Sequence, residues 1–145
     1  MSLAMQSLCN GLIRRSIELR TLYCHASTQV SEPGLRTVLE EEAQSLSLVI
    51  AELQAQIRQH EGNPATRRRM LGAVRQRFNA LVPRSDDAWI RLLAHHEQSL
   101  LRSFERVIAR VGPGELTAEL HRQLLRLHSI DLDMHSLAKA VGVGH

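Results

Sequence analysis

Apolar residues recur at spacings of three and four positions along most of the chain, which is the period of an amphipathic helix. No run alternates between apolar and polar residues as a half-buried strand would. Turn-forming residues interrupt the helical pattern at residues 31–34, 62–64, 83–85 and 112–114. The pattern therefore predicts five helices, at residues 4–30, 35–61, 66–81, 86–111 and 115–140.

Four of these helices are long and similar in length, which predicts an all-α four-helix bundle in a single domain over residues 1–145. The short turns at 31–34 and 112–114 make each flanking pair of helices an antiparallel hairpin. The connection at about 62–85 contains the shorter helix and is long enough to run the length of the bundle. Two hairpins joined by such a crossover form the ferritin-like arrangement.

The composition supports this fold class and excludes others. Aromatic residues make up only 3% of the 145 residues, which argues against an all-β fold. No apolar stretch approaches the roughly 20 residues of a membrane span, and the first residues lack the basic-then-apolar order of a signal peptide. We therefore expect no membrane association.

The two cysteines, Cys9 and Cys24, fall in the same predicted helix, where a rise of 1.5 Å per residue separates them by roughly 22 Å. A disulfide allows less than about 7 Å between the two Cα atoms. Both thiols are predicted to be free, which favours a reducing compartment and hence a cytoplasmic location.

One polar residue of each long helix lies within or beside its apolar stripe, and these four are Arg20, Glu42, Glu97 and Asp131. A small stagger of the two hairpins would bring all four side chains to one level. We predict an interior ion cluster in which Arg20 neutralises part of the carboxylate charge, because an unpaired buried carboxylate costs several kcal/mol. In the alternative, Arg20 and Glu42 extend their charged ends to solvent.

Several segments are shared with a known family. They are residues 12–13 with Tyr23, residues 30–35, 51–54 and 70–73, Glu97, and residues 122–124. On these segments and on its organisation from about Leu8 to Ala140, the chain resembles bacterial ferritin-like four-helix-bundle proteins of unknown function, described as stress-type. The resemblance implies a ferritin-like fold and, by analogy alone, a structural or interaction role in stress physiology.

Ferritin-like di-iron proteins take a carboxylate from each of two helices and a Glu-x-x-His pair from each of the other two. The resemblance places Arg20 where the first helix of such a protein carries an acid. The second helix has no Glu-x-x-His, and residues 128–131 have the reverse order. An arginine at this position repels metal ions. The chain is therefore interpreted as a non-enzyme with an eroded di-metal site and no cofactor.

Two alternative functions stay open. The first is iron or manganese binding by a set of oxygen and nitrogen donors, namely Glu42, Glu97, His128, Asp131 and His135. The second is polyanion binding through a basic patch in the crossover, formed by Arg67, Arg68, Arg69, Arg75 and Arg77. The crossover lacks the aromatic residues that stack on bases, so a solvated basic face is favoured over nucleic-acid binding.

Other activities have no support from motifs, since the chain contains no Gly-rich phosphate loop, nucleophile motif or CxxC pair. Three leucines, Leu92, Leu132 and Leu137, are predicted on the outer faces of the second hairpin and could form the contact of a homodimer. The sequence names no protein partner.

Overall fold

The computed structural model describes residues 1–67 and 83–143, and every regular element within them is an α-helix. The helices are α1 (Leu3–Gln29), α2 (Pro33–Gln59), α3 (Asp86–Val111) and α4 (Glu115–Val143). The predicted all-α four-helix bundle is confirmed. The helices begin and end within three residues of the predicted bounds, because caps such as Ser85, whose hydroxyl accepts from the Ala88 amide over 3.1 Å, are visible in the sequence.

The predicted crossover helix at 66–81 lies almost wholly outside the described residues. Its first two positions, Thr66 and Arg67, are not helical. The other members of the predicted basic patch, Arg68, Arg69, Arg75 and Arg77, also lie outside the described residues.

Each helix packs against two others: α1 and α4 both contact α2 and α3. The turn between α1 and α2 lies beside the start of α3, where the Asp86 carboxylate accepts hydrogen bonds from the Ser31 and Glu32 amides over 2.8 and 3.0 Å. α3 therefore starts at the end of the bundle where α1 finishes, so these two helices are antiparallel. The helix order is up, down, down, up, as the crossover length predicts.

The start of the crossover is fixed to the first hairpin by Asn10. The Asn10 side chain donates to the Asn63 carbonyl over 3.0 Å and accepts from the Ala65 amide over 2.7 Å. Gln54 of α2 donates to the Ala65 carbonyl over 2.9 Å. Asn10 and Asp86 thus hold the two ends of the crossover with side chains of the bundle.

The apolar stripes of the four helices meet in one core, whose largest fully buried members include Tyr23, Phe104 and Leu127. Of the leucines predicted on outer faces, Leu132 is exposed, whereas Leu92 and Leu137 pack against the core. The prediction was wrong for Leu92 and Leu137 because both lie at the edges of their stripes, where a long side chain can fold inward. None of the described helices carries a stretch apolar enough to cross a membrane.

Candidate functional site

Acidic side chains from three helices meet a tyrosine from the fourth at one level of the core. We call this set the acid layer, and its members are Tyr23 of α1, Glu42 of α2, Glu97 of α3, and Asp131 and Asp133 of α4. Tyr23 and Glu97 are fully buried, Glu42 is 6% exposed, and the Asp131 side chain is 17% exposed. Asp133 lies at the surface. The layer therefore runs from the centre of the bundle to the outside along α4.

The innermost contact of the acid layer joins Tyr23 to Glu97. The Tyr23 hydroxyl donates to Glu97 Oε2 over 2.9 Å. Tyr23 lies in the apolar stripe of α1, and its buried hydroxyl requires a polar partner, which α3 supplies. The second oxygen, Glu97 Oε1, is buried and has no hydrogen-bond partner among the described residues. An unpartnered buried carboxylate oxygen is costly unless the group is protonated or meets a cation.

The pKa of each buried glutamate is raised. Burial raises the pKa of Glu97 to about 8, the Tyr23 hydrogen bond acts in the opposite direction, and the Asp131 charge adds to the rise. Burial also raises the pKa of Glu42 to about 8, with added contributions from hydrogen bonding and charge of Asp133. At neutral pH both glutamates therefore retain their protons for most of the time, and the centre of the layer is largely neutral.

The tyrosine stays protonated for the same physical reasons. Burial, followed by the charge and the hydrogen bond of Glu97, raises the pKa of Tyr23 well above its ordinary value. The phenol can therefore act as a hydrogen-bond donor at neutral pH but not as an anionic ligand.

His135 lies at the edge of the acid layer, one turn after Asp131 on α4. His135 Nδ1 lies 3.1 Å from Asp131 Oδ1 and also 3.1 Å from the Asp131 carbonyl oxygen. The hydrogen-bond geometry is met at the carbonyl, and Asp131 Oδ1 has no such bond within the described residues. A protonated His135 would place a positive charge beside this carboxylate.

Arg20 does not join the carboxylates, in contrast to the predicted ion cluster. Its guanidinium donates to Ser47 Oγ of α2 over 3.3 Å, and among the described residues it forms no ion pair with Glu42, Glu97 or Asp131. The physical reason is height: Tyr23, nearly one turn further along α1, is the residue level with Glu97. Arg20 instead lies half-buried at the α1–α2 surface.

The predicted metal donors are not assembled. His128 is exposed, and His135 is at the edge of the layer. Within residues 1–67 and 83–143, no three His, Cys, Asp or Glu side chains are grouped so as to hold a metal ion. The donors present therefore do not fit a di-metal centre of the kind that the resemblance implies.

A second polar group joins α2 to α4, and its residues were not predicted as a site. Gln123 is fully buried and donates to Glu52 and to Glu119, the latter over 2.8 Å. Arg126 donates to Glu52 Oε2 over 2.6 Å, and Arg122 pairs with Glu119. The Arg126 hydrogen bond, with help from Gln123, lowers the pKa of Glu52. The only sequence signal was that residues 51–54 and 122–124 are among the segments shared with the ferritin-like proteins.

Comparison with known protein families gives a match over most of the chain. Residues 4–110 match the model of a family described as a domain of unknown function (DUF2383). The matched part contains Tyr23, Glu42 and Glu97, whereas Asp131 and Asp133 follow it along the chain. No curated protein and no solved structure matches the chain.

Proposed function

We propose, for a chain that belongs to the family described as a domain of unknown function (DUF2383), a non-catalytic role as a four-helix bundle of the ferritin-like type. In this proposal, protons and a tyrosine occupy the level of the bundle where a metal centre was once held. The helix order with a long crossover supports the ferritin-like assignment. The acid layer is the remnant of the metal centre.

One observation carries the proposal: the contribution of α1 to the acid layer is the Tyr23 hydroxyl, which lies 2.9 Å from Glu97 Oε2. Di-iron bundles supply a metal ligand from every helix. A phenol whose pKa is raised well above 10 keeps its proton. It therefore donates a hydrogen bond to Glu97 and does not bind a cation. Glu97 and Glu42, with pKa values of about 8, need no metal to be accommodated at neutral pH.

The role that remains for such a bundle is structural or interaction-based. Unpaired thiols at Cys9 and Cys24 suit a reducing compartment, so we place the protein in the cytoplasm. A homodimer would use the outward-facing Leu125 and Leu132 of α4, which are 72% and 67% exposed. A role in stress physiology rests on analogy with the ferritin-like proteins alone.

A second candidate function, binding of iron or manganese, is favoured by one specific observation. Glu97 Oε1 is buried without a hydrogen-bond partner in the described part of the chain. A cation at that oxygen would satisfy it as well as a proton would. The donor set is incomplete, however, and the two candidates differ in what they predict for the purified protein.

Metal analysis of protein purified without chelator separates the two candidates. The non-catalytic proposal expects iron, manganese and zinc far below one ion per chain. The variant Tyr23→Glu adds the missing carboxylate on α1 and is expected to gain metal, whereas the matched control Tyr23→Phe gains none. One ion per chain in the unmutated protein, lost in Glu97→Gln, would overturn the proposal and establish the second candidate.

A further inference from the structure

A groove lies between α1 and the start of the crossover, on the side of α1 that faces away from the acid layer. Its volume is about 650 Å³. We call it the Gly11 groove, and the side chains and backbone that define it belong to Ser7, Gly11, Arg14, Thr66 and Arg67. Ser7, Gly11 and Arg14 follow one another at spacings of four and three, so they form one stripe of α1. Residues 64–67, at the start of the crossover and held against α1 by Asn10, form the opposite wall.

The four polar side chains of the Gly11 groove have no hydrogen-bond or ion-pair partner among the described residues. Arg14 and Arg67 are both exposed and form no ion pair with any described carboxylate. The hydroxyls of Ser7 and Thr66 likewise make no hydrogen bond to described residues. Two guanidinium groups and two hydroxyls with no acid among them form a set of donors that suits an oxyanion.

Gly11 provides an independent observation. It lies in the interior of α1, where glycine is the least favourable residue apart from proline. Packing against the described residues does not explain it, since a Cβ atom built on Gly11 would meet nothing within 4 Å in residues 1–67 and 83–143. A glycine in such a place is explained if a group from outside the chain approaches the helix backbone closely.

We propose that the Gly11 groove binds a small ligand through a diphosphate group. Two arginines can each hold one phosphate in bidentate fashion, and the hydroxyls add shorter-range donors. The absence of a side chain at Gly11 leaves room for the phosphate chain against α1. None of the described lining residues is aromatic, so they offer no ring that would stack on a base, and the phosphates are the recognised part. The site is separate from the acid layer and does not depend on its role.

Isothermal titration of the full chain with inorganic pyrophosphate at low salt tests the proposal. We expect saturable binding at one site per chain, weakened at least about tenfold by Arg14→Gln, because a charge-assisted hydrogen-bond pair is lost. The matched control is Arg91→Gln, which removes an exposed arginine near the opposite end of the bundle and should leave the affinity unchanged. No saturable binding, or equal weakening by both variants, would overturn the proposal.

The variant Gly11→Ala adds a readout that a merely structural glycine would not give. The new methyl group should raise the midpoint of thermal unfolding by a few degrees and at the same time weaken pyrophosphate binding. Helical circular dichroism confirms that the variant is folded. Unchanged affinity in Gly11→Ala and Arg14→Gln would remove the site. Tighter binding of single-stranded DNA that increases with its length, and is lost in the same variants, would overturn the small-ligand assignment in favour of nucleic acid.

Discussion

Tyr23 and Glu97 join the two hairpins at the centre of the bundle, by a hydrogen bond of 2.9 Å between side chains that are both fully buried. The bond connects α1 of the first hairpin with α3 of the second. Along the chain, the two hairpins are joined only by the long crossover. Glu97 Oε2 can accept from the phenol whether or not the carboxyl group carries a proton. The contact therefore persists across the pH range in which the acid layer changes charge.

Removal of this hydroxyl should destabilise the fold. Tyr23→Phe leaves both Glu97 oxygens without a partner among the described residues, and we expect a loss of about 1–3 kcal/mol in the free energy of unfolding. The pKa of Glu97 should rise further, because the lost hydrogen bond is the one contribution that lowers it. Urea denaturation followed by circular dichroism measures the first effect.

A double-mutant cycle provides the control for this prediction. Tyr23→Phe introduced into a Glu97→Leu background, which has no acceptor at position 97, measures the coupling between the two positions. The cycle isolates this pair, so no further control variant is needed. Equal losses from Tyr23→Phe in both backgrounds would show that the hydroxyl does not act through Glu97.

The acid layer makes stability depend on pH in an unusual direction. The unfolded chain releases the glutamate protons near pH 4.5, whereas the folded chain holds those of Glu42 and Glu97 up to about 8. Between these values unfolding releases protons, so stability should be highest on the acid side and fall as the pH rises towards 8. The expected loss is on the order of several kcal/mol for the two groups together.

Replacement of the two glutamates by glutamine tests this dependence. Glutamine mimics the protonated acid in shape, so Glu42→Gln with Glu97→Gln should flatten the decline in unfolding free energy between pH 4.5 and 8. Glu40→Gln on the exposed face of α2 serves as the matched control and should leave the slope unchanged. An unchanged slope in the double variant would show that both carboxyls are ionised in the folded protein at neutral pH.

The helices could be predicted from the sequence because their signals are local. Apolar residues at helical spacing, the cap at Ser85 and the turn at 112–114 each act within a few residues. The sequence also placed Glu42 and Glu97 within apolar stripes, and both side chains are buried. These features depend on one helix at a time.

The composition of the acid layer could not be predicted in the same way. Whether Arg20 or Tyr23 lies level with Glu97 depends on how the two hairpins slide against each other, and no local pattern encodes that displacement. Tyr23 also counts as apolar in a hydrophobic pattern, although its hydroxyl forms the central contact. Asp133 is exposed and reaches the layer only because α4 packs on α2 at this level.

The second polar group responds to pH in the opposite sense. The pKa of Glu52 is lowered, chiefly by the Arg126 hydrogen bond, so its contribution is present above pH 4.5 and is lost as the pH falls through the lower folded value. Glu52→Gln should cost about 1 kcal/mol at pH 7, a modest value because the site is partly exposed and screened. Thermal unfolding at pH 7 and pH 3 measures the difference.

The control for Glu52 is a glutamate of the same charge without its partners. Glu105 is exposed on α3, and Glu105→Gln should leave the unfolding midpoint unchanged at either pH. A loss from Glu52→Gln that is as large at pH 3 as at pH 7 would contradict an electrostatic origin.

The two thiols should differ sharply in reactivity. Both are free, as predicted, but Cys24 is exposed, whereas Cys9 is fully buried. Burial, with the charge of Glu119, raises the pKa of Cys9 to about 12, so it forms almost no thiolate at neutral pH. An aromatic disulfide reagent should label Cys24 in the native protein and Cys9 only after denaturant is added. Rapid native labelling in a Cys24→Ser variant would contradict the burial of Cys9.

The side chains that hold the crossover make the bundle tolerant of change in the connection itself. Asn10 fixes residues 63–65 against the first hairpin, and Asp86 fixes the start of α3 beside residues 31–32. The register between the hairpins is thus set by contacts at the two ends of the connection, and the entropic cost of closing a loop rises by only about 0.6 kcal/mol when its length doubles. We therefore expect evolution to tolerate insertions and deletions between the two anchor points. A foreign domain could be inserted there without breaking the Tyr23–Glu97 hydrogen bond.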